Sequence, residues 1–180
     1  MDTNDFLEAL RFTNTNIDWE DDDDMETNEL DTSIQMPVFV YGTLRPGHGN
    51  ASLWSGLATA RYDGHARVLG RRLVSNGGFP YMLHSTPSEQ VVGTLIFPDA
   101  AYYEQVLDRM DMLEGVPVHY IRDTIAVICG GGVDGSAIFA AWTYMPVDDS
   151  EYEHLTPVTD NDWSVHRPPR FINYPSQARS

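Results

Sequence analysis

The sequence contains no lysine. All eleven basic residues are arginine, and they face 27 acidic residues, which gives a formal net charge of −16. Residues 1–35 hold twelve of these acids and one arginine, and the remaining 145 residues have a net charge of −5. Since nucleic acids and anionic membranes attract cationic surfaces, we expect this chain to bind neither. We interpret residues 1–35 as an acidic, disordered tail that is available to a protein partner.

Cysteine and long apolar runs are also scarce. A single cysteine, Cys129, excludes an internal disulfide framework and fits a reducing cytoplasm, where we expect the protein to reside. The sequence lacks an apolar run of about 18 residues and a basic-then-apolar leader, which predicts neither a membrane span nor secretion. With 42% hydrophobic residues, the chain is expected to form one domain over residues 36–175, with a frayed C-terminus at 176–180.

The common motifs for metals, nucleotides and nucleophiles are missing. The six histidines have neither i, i+4 spacing nor a cysteine at ligand spacing, so we expect no metal site. The sequence has no G-x-S-x-G, no phosphate-binding loop and no G-x-G-x-x-G after a strand. Cys129 ends an apolar strand and is interpreted as a small core residue rather than a nucleophile. Carboxylates therefore remain as the candidates for proton transfer.

The pattern from Pro37 onward predicts five or six short strands. The predicted strands are "VFVY" at 38–41, a strand or bent strand pair at 64–74, "QVVGTLIF" at 90–97, "IRDTIAVIC" at 121–129 and "SAIFAAWTY" at 136–144. "NGGF" at 76–79 is a predicted turn, Gly93 a predicted bulge, and "GGGVDG" a hairpin connection. Beyond Pro157, we expect irregular wrapping. Strands around one helix predict a compact α+β domain with a curled antiparallel or mixed sheet.

One strong helix interrupts the strands. Asp99 is a candidate N-cap, and Gly115 is a candidate C-terminal stop. An amphipathic stripe at helical spacing is predicted to face the core, and its members are Tyr103, Val106, Leu107, Met110 and Leu113.

The acidic residues of this helix differ in their expected surroundings. Asp108 and Asp111 are expected to be exposed, whereas Glu114 lies on the face of Leu107 and Met110 and is expected to be partly buried. Burial and the negative end of the helix dipole both raise a carboxyl pKa, which favours a general base near neutral pH. A carboxylate at a helix end is common in ordinary structural roles, so this pattern alone leaves both interpretations open.

The first strand ends in Tyr-Gly-Thr-Leu. A sharp turn at Gly42, Thr43 and Leu44 can direct successive main-chain N–H groups into one concavity, where they bind an anion such as a carboxylate. A glycine at a strand end is also typical of a plain turn. A candidate anion-binding turn and a candidate general base, Glu114, in the same chain favour a binding or catalytic site more than either feature does alone.

Five segments occur in a characteristic order: "VFVYGTLRPGHGN", "GGFPYML", "VVGTLIF", "LDRMDMLEGVPVHYIRDTIAV" and "AAWTY". In this order the chain resembles the γ-glutamylcyclotransferase superfamily, including the γ-glutamylamine cyclotransferases and the avirulence-induced-gene-like proteins of plants. The resemblance covers about Pro37 to Tyr144 and extends toward Asp162–Trp163. It implies a small mixed β-barrel-like sheet with one main helix, and a pocket between the Tyr-Gly-Thr-Leu loop and the glutamate that ends the helix.

The resemblance also implies roles for individual residues. Glu114 matches the catalytic glutamate, and Arg122 matches an arginine that we interpret as structural support. The residues that match the substrate-binding loop and pocket wall are Tyr41, Gly42, Thr43, Leu44, Tyr120 and Tyr144. The implied reaction needs no cofactor: the α-amine of a γ-glutamyl group attacks its own γ-carbonyl, forms 5-oxoproline and expels the attached amine.

Two other classes of function stay open from the sequence. One is a different lyase, amidotransferase or acyltransferase that uses the same pocket and glutamate. The other is a non-catalytic interaction protein that keeps the fold and binds partners through its acidic tail. If the chain is a cyclotransferase, which is the leading hypothesis, we expect its binding partner to be a small γ-glutamyl compound.

Overall fold

The computed structural model of this chain describes residues 35–132 and 135–165. Our expectations for the acidic tail up to residue 34, the centre of the β-hairpin connection at 133–134 and the C-terminus from 166 onward lie outside these residues. The described part contains one α-helix, α1 (Tyr103–Glu114), and eight strands: β1 (Val38–Val40), β2 (Ala58–Leu69), β3 (Arg71–Ser75), β4 (Pro80–His84), β5 (Gln90–Pro98), β6 (Tyr120–Gly132), β7 (Gly135–Pro146) and β8 (Thr156–Pro157).

Five strands close into a barrel in the order β1-β5-β2-β6-β7. The pair β1 and β7 closes the barrel and is parallel, whereas the other neighbours are antiparallel. The expected mixed β-barrel-like sheet with one main helix is therefore confirmed. Closure removes the free edges that an open sheet would leave unpaired.

A second sheet of three strands, in the order β4-β3-β8, was not predicted as a unit. The sequence suggested five or six strands, and it missed β4, which begins with a proline and has five residues, and β8, which has two. Strand β4 follows the predicted turn at 76–79 and pairs with β3, with Val74 opposite Tyr81. The start of β4 lies close to the end of β1, because a Cβ on Gly42 would be 2.9 Å from the side chain of Pro80, and both residues line the candidate site.

The predicted bulge at Gly93 has a different form in the structure. The register shift lies in β2, between Arg61 and Ala66, and Ala66 pairs with Gly93. Gly93 itself is required by close packing, because a Cβ at this position would lie 2.5 Å from the main-chain oxygen of Val40. The glycine thus permits β1 to approach β5, and the bulge belongs to the facing strand.

Alternate side chains of β1 and of Tyr41, the residue that follows it, enter two different core clusters, as the period of a strand requires. Val38 and Val40 pack with the buried stripe of α1, and Phe39 and Tyr41 pack with the opposite cluster. Each fully buried apolar side chain of this kind contributes roughly 1.5–3 kcal/mol. Because both clusters hold β1, the position of the loop that follows this strand is fixed on both faces.

Helix α1 has the predicted end but a different start. A single 3₁₀ turn at Ala100–Tyr102 precedes the helix, and the side chain of Asp99 makes no capping hydrogen bond. Gly115 ends the helix in the left-handed conformation with φ 67°, as its position in the sequence predicted. Leu113 departs from the predicted core stripe, since its side chain is 41% exposed.

Candidate active site

One cavity of about 410 Å³ lies between the loop after β1 and the end of α1. Its volume is within the range of roughly 300–1,000 Å³ that is typical of small-molecule sites. All seven residues that the sequence analysis singled out as catalytic or substrate-binding line this cavity: Tyr41, Gly42, Thr43, Leu44, Glu114, Tyr120 and Tyr144. Segments that are more than 100 residues apart in the chain therefore meet in one hollow.

Residues Gly42–Leu44, which we call the amide loop, are held by several hydrogen bonds. The N–H of Arg45 donates to the carbonyl oxygen of Gly42 at 3.0 Å, which closes a tight turn. Asn50 donates twice to Thr43, from its main-chain N–H to the carbonyl oxygen at 3.0 Å and from Nδ2 to Oγ1 at 2.9 Å. The indole N–H of Trp54 donates to the carbonyl oxygen of Leu44 at 2.8 Å.

These bonds use the carbonyl groups of the amide loop and leave its donors unused. Among residues 35–132 and 135–165, the N–H groups of Gly42, Thr43 and Leu44 donate no main-chain hydrogen bond outside the regular helices and strands. A main-chain N–H group without a protein partner needs water or a ligand as its acceptor. Since Gly42, Thr43 and Leu44 line the cavity, an anionic ligand bound there can supply that acceptor.

Arg45 directly follows the amide loop and does not line the cavity, and its ion pairs hold the loop in place. Its side chain is buried, at 2% exposure for the residue, and its guanidinium contacts Asp162 at 2.6 Å and Asp63 at 2.9 Å. Burial raises the pKa of Asp63, but hydrogen bonds from Thr94 and Arg45 outweigh it and leave this pKa below its ordinary value. The arginine of "RPGHGN" thus ties the loop to β2 and to the segment before Trp163.

Glu114 is the last residue of α1, and its carboxyl group faces the cavity from the end of the helix. It is half-buried, as the sequence predicted from its neighbours Leu107 and Met110. Burial raises the pKa of this carboxyl from 4.5 to about 7. In the described part of the chain, no donor forms a hydrogen bond or ion pair with this carboxyl group, so its proton is not held by another protein group.

Three tyrosines surround Glu114. Burial raises the pKa of Tyr41, Tyr120 and Tyr144, and the negative charge of Glu114 contributes to each increase. The hydroxyl of Tyr41 donates to the main-chain oxygen of Tyr144 at 2.8 Å, which connects the end of β1 to β7. All three hydroxyls are therefore expected to stay protonated at neutral pH, where they act as hydrogen-bonding groups.

Asp111 corrects one expectation from the sequence. We expected this residue to be exposed, but it is half-buried and accepts a hydrogen bond from the hydroxyl of Tyr144 at 2.7 Å. Its other carboxyl oxygen lies 3.4 Å from Arg122, whose guanidinium also packs over the ring of Trp142. Arg122 therefore supports the cavity wall through Asp111 and does not line the cavity. Asp108 is exposed, as expected.

An aromatic wall, Phe79, Tyr81 and Tyr152, completes one side of the cavity. The rings of Tyr81 and Tyr152 stack with centroids 4.1 Å apart, and Phe79 and Tyr81 are 5.3 Å apart. In this region the residue pattern predicted only a turn at 76–79, and no sequence signal pointed to Tyr152. This tyrosine follows a 3₁₀ turn in an irregular segment, where no periodicity predicts which side chain points inward.

The structure also bears on Cys129, on metal binding and on membrane-spanning helices. Cys129 is buried in the core, and burial raises the pKa of its thiol to about 11, in agreement with the structural interpretation. Among the residues that the structure describes, no three His, Cys, Asp or Glu side chains lie close enough together to hold a metal ion. The same residues include no helix that is both long and apolar enough to cross a lipid bilayer.

A comparison with known protein families tests the family resemblance that the sequence motifs suggested. The sequence model of the family "Gamma-glutamyl cyclotransferase, AIG2-like" matches residues 38–165, which is more than half of the chain and runs from β1 past Trp163. The chain belongs to this family. The match includes the amide loop and Glu114. It also includes Asp162–Trp163, the segment toward which the resemblance in the sequence extends.

Two curated relatives carry provisional gamma-glutamylcyclotransferase names. One, from Vibrio cholerae serotype O1, is 31% identical over 137 residues, which is 72% of this chain and 96% of the relative. The other, from Methanocaldococcus jannaschii, is 29% identical over 107 residues, which is 59% of this chain and 81% of the relative. The crystal structure of an AIG2-like protein from Mus musculus has the same fold, with a TM-score of 0.56 and 22% identity over 80% of this chain and 98% of that chain.

Proposed function

We propose that this gamma-glutamyl cyclotransferase family member converts a γ-glutamyl amine or peptide to 5-oxoproline and releases the amine. One observation carries the proposal: among the described residues, a half-buried carboxyl group without a hydrogen-bond partner and a loop whose main-chain N–H groups form no main-chain hydrogen bond outside the regular helices and strands line the same cavity. Membership of the family supports the reaction class. No cofactor is required, because the nucleophile and the electrophile belong to the same substrate molecule.

The amide loop binds the anionic end of the substrate. The N–H groups of Gly42, Thr43 and Leu44 donate to the α-carboxylate of the glutamyl group or to the oxyanion that develops at the γ-carbonyl. The buried anchor of Arg45 fixes these donors before the substrate arrives, so little reorganisation is needed in the transition state.

Glu114 transfers the protons. With a pKa of about 7, its carboxylate accepts a proton from the α-ammonium group at neutral pH and returns it in a later step. The freed amine attacks the γ-carbonyl carbon, a C–N bond forms, and the original amide C–N bond breaks. The α-nitrogen loses two protons in all, and the departing amine gains two and leaves as an ammonium ion, so that atoms and charge balance without water.

A substitution of Glu114 tests this proposal. We expect Glu114→Gln to lower 5-oxoproline formation by roughly 10²–10⁴-fold, because the proton acceptor is removed while the shape of the side chain is kept. Asp108→Asn, which removes an exposed carboxylate from the same helix, is the matched control and should retain the wild-type rate. A Glu114→Gln variant that turns over at the wild-type rate would contradict the assigned role.

The assay uses a panel of γ-glutamyl amines and γ-glutamyl peptides, with 5-oxoproline and the released amine measured together by mass spectrometry. Equal amounts of the two products are expected, since one molecule of substrate gives one of each. If no compound of the panel yields 5-oxoproline but one of them binds, a binding protein on the same fold is the better interpretation.

A further inference from the structure

Asp111 does not line the cavity, but it is connected to the cavity by the side chain of Tyr144. Its Oδ1 atom accepts a hydrogen bond from the Tyr144 hydroxyl at 2.7 Å, and its Oδ2 atom lies 3.4 Å from the guanidinium of Arg122. The permanent positive charge of the arginine favours the ionised carboxylate, which has no hydrogen to donate. The hydroxyl hydrogen of Tyr144 is therefore held by Asp111.

This hydrogen bond decides what Tyr144 offers to a ligand. The tyrosine is buried and lines the cavity, and with its hydrogen held by Asp111 the hydroxyl acts toward a ligand only as an acceptor. Tyr41 is similar, because its hydroxyl donates to the main-chain oxygen of Tyr144 at 2.8 Å. By contrast, the hydroxyl of Tyr120 and the imidazole of His119 have no hydrogen-bond partner in the described part of the chain, so each can donate to a ligand or accept from it.

The acceptor oxygen of Tyr144 is held near Glu114. Asp111 and Glu114 are three residues apart in α1, a spacing that places two side chains at neighbouring positions on one helix face. Since the Tyr144 hydroxyl contacts Asp111, it lies beside the last turn of this helix. Burial is the main cause of the raised pKa of Tyr41 and of Tyr144, and the charge of Glu114 contributes to both, as expected for hydroxyls near this carboxyl group.

An ammonium group needs several acceptors of this kind. The α-ammonium group of a γ-glutamyl substrate has three N–H donors and no acceptor. In the proposed function, on which this inference rests, Glu114 accepts one of these hydrogens, and the oxygens of Tyr144 and Tyr41 are available to the others. Fixed acceptors restrict the orientation of the amine before it attacks the γ-carbonyl carbon, and such positioning lowers the barrier of an intramolecular reaction.

We propose that Asp111 is a positioning residue for the cyclisation: it holds the hydroxyl hydrogen of Tyr144, so that the oxygen of this hydroxyl accepts a hydrogen bond from the α-nitrogen of the substrate. Asp111 does not contact the substrate, and Arg122 in turn holds Asp111. The proposed function assigns the base and the anion-binding loop, and this inference adds the group that orients the nucleophile.

A double-mutant cycle tests whether Asp111 acts through Tyr144. In Asp111→Asn one oxygen remains, and Arg122, which can only donate, competes for it, so that the amide NH₂ faces the tyrosine. We expect this variant to lower kcat/KM for γ-glutamyl-phenethylamine by ~10-fold, as is usual for a hydrogen bond to a charged group. In a Tyr144→Phe background the same substitution should change kcat/KM by less than ~2-fold, because no hydroxyl remains to be oriented. Equal losses in both backgrounds, or no loss in either, would overturn the proposal.

A second ligand separates this role from a purely structural one. N-phenethylglutaramic acid is γ-glutamyl-phenethylamine without the α-amine, and it cannot cyclise. Its inhibition constant should differ by less than ~2-fold between Asp111→Asn and wild type, because it has no α-nitrogen for Tyr144 to orient. A loss of ~10-fold for this compound as well would mean that the substitution distorts the whole cavity, and it would overturn the proposal.

If the wild-type protein forms no 5-oxoproline from γ-glutamyl-phenethylamine, the proposed function fails for this compound, and isothermal titration of the two ligands decides the inference. Asp111→Asn should then weaken binding of the compound with the α-amine by ~10-fold and leave the binding of N-phenethylglutaramic acid unchanged. Equal changes for the two ligands, or no binding of either by the wild-type protein, would overturn the inference.

Two further variants complete the design. Asp108→Asn, which removes an exposed carboxylate from the same helix, is the matched control and should keep the wild-type values in each measurement. If Asp111→Asn does not fold, as thermal denaturation will show, Tyr144→Phe provides the same comparison of ligands. Loss of its hydroxyl should weaken the compound with the α-amine by ~10-fold and spare N-phenethylglutaramic acid, and equal effects on both would overturn the proposal.

Discussion

Replacement of Glu114 by glutamine should stabilise the protein at high pH. The pKa of this carboxyl is 4.5 as an ordinary glutamate and about 7 in the folded protein. A carboxyl group whose pKa is raised by folding favours the folded state when it is protonated. Its contribution is fully present below about pH 4.5, falls as the pH rises through 7, and is lost above that value.

The magnitude follows from the two pKa values. The difference between 4.5 and about 7 corresponds to ~3 kcal/mol of free energy of unfolding, at about 1.4 kcal/mol for each tenfold change in proton affinity. Glutamine does not titrate, so the difference in stability between Glu114→Gln and wild type should increase by about this amount between pH 4.5 and pH 8. The cost of burying the amide group is independent of pH and cancels from the change.

Urea denaturation of both proteins at a series of pH values measures this effect. A change of ~3 kcal/mol moves the midpoint by roughly 1–3 M urea for a protein of this size. Asp108→Asn gives the baseline for removal of an exposed carboxylate from the same helix. A difference between Glu114→Gln and wild type that stays constant from pH 4.5 to pH 8 would refute the argument that the folded environment raises this pKa.

Three further predictions concern activity and the anchoring of the loop. The rate constant kcat/KM for 5-oxoproline formation should rise with pH through about 7, since Glu114 must be deprotonated to accept the ammonium proton; a profile that is flat from pH 5 to 8 would argue against this base. Arg45→Met should lower the free energy of unfolding by on the order of 3 kcal/mol and reduce activity, because Asp162 and the more exposed Asp63 lose their partner. Denaturation at pH 7 checks this, and unchanged stability would count against the anchor. Deletion of residues 1–35 should leave kcat/KM unchanged, because the family match begins at residue 38, and a large loss would place the acidic segment in the site.

Two parts of the candidate site lie at positions that local patterns in the sequence mark. Gly115 stops a helix whose buried stripe is visible in the sequence, and this stop places Glu114 at the helix end. The Tyr-Gly-Thr-Leu segment ends an apolar strand, and both core clusters hold that strand in place. Local rules of helix termination and strand packing predicted where these features lie, whereas their proposed roles, together with Tyr120 and Tyr144, came from the family resemblance.

The remaining features depend on contacts between distant segments, which local patterns do not reveal. The burial of Arg45 requires Asp63 and Asp162, which are 18 and 117 residues away. Asp111 is half-buried because Tyr144, 33 residues away, donates to it. Tyr152 reaches the cavity from an irregular segment and stacks on Tyr81, which lies in a strand that the sequence did not predict.

A crystal structure of Glu114→Gln in complex with γ-glutamyl-phenethylamine tests the central claim most directly. The glutamyl α-carboxylate or γ-carbonyl oxygen should lie about 2.7–3.2 Å from N–H groups of the amide loop, with the α-nitrogen at a similar distance from the side chain of residue 114. A ligand that binds outside the cavity, or one whose α-nitrogen points away from residue 114, would contradict the account.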